Sequence, residues 1–283
     1  MRLKRQKITN NFIKYKKKYV EKFYSQNERM KREKYFYSKF ENKKLQIPEV
    51  ISVLKNRIIL KKYKFKKINS EKLFLDSLLN FIIETNKEKN YKYKAKEYLI
   101  SYKHLFNQVE NRFKKIDKIV IEDKYIDKMN KIKKYIKKLI NKQFTNIKMQ
   151  PSTKIISQSD IGYHNCGVYK KKIIFYDFEY TGLDNPIKLI CDVYYQPEKN
   201  ISKKNILIFI KKLENNFNFK LKKSFLNFEK LLKVKMMLII LNIFTNSNIY
   251  RVSKKFDKVE IDKVKLNRIN KVYKYIKKPF IYG

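Results

Sequence analysis

Glycine, alanine and tryptophan are nearly missing from this sequence. Its 283 residues include one alanine (Ala95), four glycines, five prolines, two cysteines and no tryptophan. Acids are also scarce, with 26 Asp and Glu against 70 Lys and Arg, for a formal charge of +44. Two cysteines, Cys166 and Cys191, make no disulfide framework, so a reducing cytoplasm is expected. Neither has a Cys/His pair nearby at zinc spacing, which argues against a metal-thiolate site. No G-x-S-x-G elbow occurs, so a serine hydrolase has no support. Long apolar runs are lacking too. The longest, Met236 to Phe244, contains Asn242. It falls far short of the ~20 residues that span a bilayer and reads as a buried helix segment. The basic start of the chain leads into no apolar stretch, so no signal peptide is visible.

What is present has two competing explanations. Hydrophobic residues at 43% and aromatics at 15% exclude a disordered polycation. A folded nucleic-acid binder fits the charge, because clustered lysine neutralises phosphate. Codon bias fits it as well. Of the 70 bases 62 are lysine, and Asn, Ile, Tyr and Phe abound where Ala, Gly and Pro are rare. The length suits one large domain or two small ones, with chain enough for a real core.

Local patterns sketch an order of elements. Phe12 to Tyr19 alternates apolar residues with lysine, as a half-buried strand does. Residues 27–43 read as a helix, with Asn27 as N-cap and Glu28 in its first turn. Two short β-like runs follow Pro48, Val50–Leu54 and Ile58–Phe65. Ser70 and Glu71 open a periodic helix through Ile83. Lys-rich helical tracts are expected over about 91–116 and 124–143, their lysines on solvated faces. Past Pro197 the same helical periodicity runs on to Pro279.

The segment between Gln158 and Asp192 differs. It holds three of the four glycines, both cysteines, and five acids against four bases, in a chain of +44. Two strand-like runs there each end in an aspartate, Asp160 and Asp177, and Asn165 lies five residues after the first. Strand ends are where polar groups leave a core and converge on a ligand. Phosphoryl transfer uses such a set: one carboxylate takes the proton of the attacking hydroxyl, while an Asn oxygen and a second carboxylate hold Mg²⁺ against nucleotide phosphates. Turn and capping residues at strand ends are the plainer reading of the same three.

The ordered string SDIGYHN followed by IIFYDFEYTGLDNPIKLICDVYYQPE resembles the aminoglycoside phosphotransferase and choline kinase-like family, which has the protein-kinase-like fold. Asp160 and Asn165 match its catalytic loop, Asp177 and Glu179 its Asp-x-Glu after a strand, and Asp184–Pro186 and Asp192 the rest. The resemblance implies an α+β, two-lobed fold, with a small, incomplete β-rich N-lobe over 1–68 and a mainly helical C-lobe over 69–283. It implies catalytic and metal-binding loops at 158–192, ATP and Mg²⁺ as cofactors, and a small-molecule hydroxyl as acceptor. Asp160 is then the catalytic base, Asn165 and Asp177 are magnesium ligands, Glu179 serves a second metal or the substrate, and Asp192 braces the catalytic loop. In FIKYKKKY, Lys14 is the candidate nucleotide-binding lysine, paired with Glu33 of RMKREKYFYSKF.

Departures from the family pattern are plain. No glycine precedes Gly162, so no glycine-rich loop covers the phosphates. Gln158 stands where His is common, and Ser159 where Gly is usual. The alternatives are a pseudokinase or scaffold of the same fold, and a basic RNA-associated protein. Nucleic-acid binding is the less favoured, because the bases lie away from the neutral segment.

Overall fold

A computed structural model describes residues 12–41, 43, 45–119, 121–140, 154–245 and 257–282. The basic residues 1–11, the end of the second Lys-rich helical tract (141–143) and part of the final one (246–256) lie outside them. The chain forms two compact units, one of Met1–Tyr98 with Lys154–Asn185, the other of Leu99–Thr153 with Pro186–Gly283. Strands gather in the first and helices dominate the second, so the α+β expectation holds.

The first unit opens with β1 (Phe12–Tyr15) and β2 (Tyr19–Phe23). One strand was expected here. Instead the chain reverses through the lysines at 16–18, where Lys16 N–H donates to the Tyr19 carbonyl at 3.0 Å, and β2 returns antiparallel to β1. Lysines at this reversal keep their ammonium groups in water, so the alternation that suggests one strand ends in a turn. With β3 (Val50–Leu54) and β4 (Arg57–Lys61) these strands build an antiparallel sheet of order β1-β2-β4-β3. Helix α1 (Asn27–Phe40) begins one residue after its cap, Gln26, and buries Met30, Glu33, Phe36, Tyr37 and Phe40 at three- and four-residue steps. Helix α2 (Glu71–Thr85) starts where expected, the Ser70 side chain accepting from Leu73 N–H.

Aromatic packing joins these helices to the neutral segment. That segment carries β5 (Ile155–Ser157), a 3₁₀ turn at Tyr163–Asn165, and the hairpin β6 (Cys166–Tyr169)–β7 (Lys172–Phe175). β8 (Gly182–Asp184) pairs antiparallel with β5. Phe178 is fully buried, stacked on Phe36 with ring centroids 3.9 Å apart and lying against Phe81 and Tyr37. Such an anchor buries well over a hundred Å² and fixes the backbone on either side of it.

Residues 91–101 are not the start of a helix. Leu183 N–H donates to the Tyr93 carbonyl (2.8 Å) and its own carbonyl accepts from Ala95 N–H (3.0 Å), which makes residues 93–95 an extended strap on β8. Gly182 permits the approach: a Cβ there would lie 2.2 Å from the Lys94 carbonyl carbon. Backbone pairing with β8 replaces the intrahelical bonds, and a helix forms only from Tyr102.

In the second unit, α3 (Tyr102–Asp117), α4 (Asp123–Ile140), α6 (Lys203–Phe217) and α8 (Lys258–Lys277) bury one apolar stripe, whereas α5 (Pro186–Tyr194) and α7 (Lys222–Leu241) are largely buried and take Lys188, Lys233 and Lys235 inside. Helix α7 is buried on most sides and packs against α3, α4, α5 and α8. Among the described residues no helix is long and apolar enough to cross a membrane.

Candidate active site

Phe178 sits between the two acids of the Asp-x-Glu string, and its burial holds both near α1. Asp177 has φ 72°, a left-handed backbone that Asp tolerates better than most residues and that tertiary packing must hold in place. Lys22 Nζ lies 2.6 Å from Asp177 Oδ1, 2.5 Å from Glu33 Oε2 and 3.5 Å from Glu179 Oε2. Tyr24 donates its hydroxyl to Glu33 Oε2 (2.7 Å), and Arg29 Nη1 lies 3.3 Å from Glu179 Oε1. Lys22 and Glu33 are both buried. Burial alone would push the lysine down, but Asp177, Glu33 and Glu179 outweigh it and hold the ammonium well above its ordinary value. Lys22 is therefore a fixed cation within a carboxylate cluster.

The lysine that meets Glu33 is thus Lys22, not the sequence candidate Lys14. Lys14 stands exposed on β1, across the ladder from Glu21. The single-strand reading of 12–19 put Lys14 one strand too early, and the hairpin makes β2 the strand that faces α1. The signal for Lys22 was faint: a lysine inside YVEKF, immediately before the helix start.

A second group forms around the loop after β5. Asp160 is half exposed, and His164 Nε2 lies 3.1 Å from its Oδ1. Asn165, buried, donates its amide to the Asp160 carbonyl at 2.8 Å, which turns the amide oxygen elsewhere. Tyr176 ties this loop to the Asp177 loop, its backbone N–H donating to the Asn165 carbonyl (2.9 Å) and its hydroxyl to the His164 carbonyl (3.1 Å). Gln158, where the family pattern has His, is buried and donates to the Tyr176 carbonyl at 2.5 Å. Ser159 has φ 62°, the backbone region that favours the glycine usual at that position. Asp192, on α5 of the second unit, pairs with Lys188 at 2.7 Å.

Chemically, Glu33, Asp177 and Glu179 offer carboxylate oxygens within 4.8 Å of one another. Glu33 Oε1 is buried without a hydrogen-bond partner. The Lys22 ammonium lies among these oxygens, so this anionic, all-oxygen set suits a hard divalent cation such as Mg²⁺ only where Asp177 leaves the lysine for the metal.

No protein-family model matches the sequence, and no curated protein matches it. Solved structures do resemble the fold. A choline/ethanolamine kinase family protein from Mesorhizobium loti aligns with TM-score 0.57 and 10% identity, over 96% of this chain and 86% of its own. Spectinomycin phosphotransferase APH(9)-Ia, solved with ADP and spectinomycin, aligns with TM-score 0.56 and 12% identity, over 95% and 90%. Choline kinase LicA from Streptococcus pneumoniae gives TM-score 0.55 and 13% identity, over 95% and 89%. The chain shares the kinase-like fold of these proteins, the fold that residues 158–198 led one to expect.

Proposed function

We propose that this protein is a cytoplasmic, ATP-dependent phosphotransferase that moves the γ-phosphate of ATP to a hydroxyl of a small molecule. The observation that carries the proposal is the buried Lys22–Glu33–Asp177 ion cluster beside the Asp160–Asn165 loop. Lys22, held charged by its carboxylates, neutralises nucleotide phosphate when Asp177 turns to a metal. Asn165, Asp177 and Glu179 are the residues that would hold Mg²⁺, which when bound neutralises charge on the phosphate oxygens. Asp160, reached by solvent and held by His164, takes the proton of the acceptor hydroxyl. Most of the rate comes from positioning and charge, as phosphoryl transfer requires.

The test is Mg²⁺-dependent phosphate transfer from ATP across amino alcohols, sugars and aminoglycosides, for the natural chain and for Asp160→Asn. Transfer that falls about 10²-fold or more in the variant, with folding intact, is the expected result. ATP stabilisation that ignores EDTA and vanishes at moderate salt would sink the proposal, because simple charge attraction behaves that way. The absence of glycine before Gly162 favours a second reading, a pseudokinase that binds nucleotide and turns it over poorly. On that reading ATP at a hundred times Kd still stabilises the fold by about 2.7 kcal/mol, without transfer to any acceptor.

A further inference from the structure

The strap over residues 91–98 places charge beside Asp160 in a way a helix would not. Around its extended part at 93–95 the strap buries Tyr91 and Ala95 and exposes Lys92 and Lys94, and Lys96, also exposed, follows at the turn that ends it. The strap is locked against β8, and Arg32 of α1 donates to the Lys94 carbonyl. Its end adjoins the catalytic loop: Ser159 Oγ donates to the Lys96 carbonyl (3.1 Å), and Lys96 N–H donates to the Tyr180 carbonyl (3.2 Å).

Aromatic rings interleave with these bases. Lys96 Nζ lies 4.3 Å and the Arg29 guanidinium 4.9 Å from the centre of the Tyr180 ring. Arg32 packs on Tyr93 at 5.0 Å, and Lys94 on Tyr98 at 4.9 Å. The acids on this face are Glu28, paired with Arg32 at 3.3 Å, and Glu97 in the strap. The carboxylates deeper in the site are held by Lys22 and Arg29.

Resting on the phosphotransferase reading, we propose that the acceptor is an anionic hydroxyl compound of low mass, bearing a phosphate or carboxylate, and not a polycationic amine. The anionic group docks on Lys94 and Lys96, with the body of the molecule against Tyr98 and Tyr180 and its hydroxyl toward Asp160. The acceptor oxygen attacks the γ-phosphorus of ATP, the bond to the β–γ bridging oxygen breaks, the hydroxyl proton passes to Asp160, and ADP leaves. A polyamine would meet the exposed Lys92, Lys94 and Lys96 and be repelled there, and such like-charge juxtaposition is how sites reject wrong partners.

The experiment compares acceptors of three charges on the full chain: sugar phosphates, glycerol phosphate and hydroxy acids; neutral sugars and glycerol; choline, ethanolamine and aminoglycosides. Mg²⁺-dependent ATP hydrolysis without acceptor is read in parallel, in the natural chain and in Asp160→Asn. The expected result is transfer to an anionic acceptor at a kcat/KM at least tenfold above any cation. In Lys94→Glu and Lys96→Glu the acceptor KM should rise tenfold or more, while KM for ATP moves less than twofold. Lys204→Glu, which makes the same charge reversal at an exposed position of α6, should leave the acceptor KM alone. The glutamine versions, Lys94→Gln and Lys96→Gln, give an intermediate rise and guard against a fold lost to charge reversal. Preference for a cationic or neutral acceptor overturns the proposal, as does an equal effect of Lys204→Glu or hydrolysis without transfer to any anion. Preference for the hydroxyl end of an RNA oligomer overturns its small-molecule form. If neither binding nor hydrolysis of ATP responds to Mg²⁺, the phosphotransferase reading itself has failed, and the two failures are thereby told apart.

Discussion

Lys22 and Lys14 differ by eight positions in sequence and by everything in environment. One is buried among three carboxylates, the other exposed on β1. On the phosphotransferase reading, Lys22→Met is expected to lower kcat/KM for ATP-dependent transfer by about 10²-fold or more, since it would remove a fixed cation from phosphate and leaves Glu33 buried without its counter-ion. Lys14→Met should change it less than about twofold, as surface substitutions usually do. Steady-state kinetics of both variants checks the pair, and equal losses would return the role to Lys14. Left-handed backbone at Ser159 and Asp177 flanks the same chemistry, each at a cost of about 1–2 kcal/mol. The surrounding bonds from Gln158 and Tyr176 are what keep those conformations in place.

At the scale of elements, function depends on how loops are pinned. Phe178 fills the space between α1 and α2 and thereby aims the acids on either side of it. Phe178→Ala should cost about 3–5 kcal/mol in denaturant unfolding, with transfer lost even where the variant remains folded. Gly182→Val meets backbone, which cannot yield as a side chain can, and should lose more than about 2 kcal/mol. Its strap would lift from β8, so protection of the Ala95 amide in hydrogen exchange should fall with stability. Helix α7 supplies a different kind of pin. Buried Glu229 accepts from Tyr195 and from the backbone of Ile281, and buried Lys233 donates to the Lys278 carbonyl (2.7 Å) and to Tyr135 (3.0 Å). Burial pushes the Lys233 amine down to about 8, against the pull of Glu229. Above that value the unfolded chain holds a proton that the folded chain has released, so this group makes stability rise with pH between about 8 and 10. Over that range the stability of the natural chain should rise relative to Lys233→Met, and denaturant unfolding at several pH values reads the difference. A flat difference would show that the ammonium stays charged in the fold.

Over the whole molecule the charge of +44 acts against compaction. Like charges crowd as the chain folds, and screening relieves them, so the melting temperature should climb as salt goes from about 20 mM to about 300 mM. A falling melting temperature would mean that the ion pairs outweigh the repulsion. Along α4 and α8 the buried positions are apolar or aromatic and no lysine is among them, as their periodicity already indicates. In the strap the same composition is gathered beside the Asp160 loop, at Lys94 and Lys96.

Helices α2 and α4 and the buried run in α7 were readable from order and spacing, and the string from Asp160 to Glu179 could be singled out as a loop motif, because those patterns are local. A cap, a three-to-four-residue period and a loop motif each lie within about twenty residues of chain. The partner of Glu33, the hairpin that moved it from Lys14 to Lys22, and the extended strap at 91–98 were not readable in the same way. Each depends on which backbone lies alongside another, across distances of up to 155 residues between Lys22 and Asp177. In a chain with 62 lysines, composition offers many candidates for one buried cation. Only packing, which expels a charge from most places and tolerates it beside three carboxylates, selects among them.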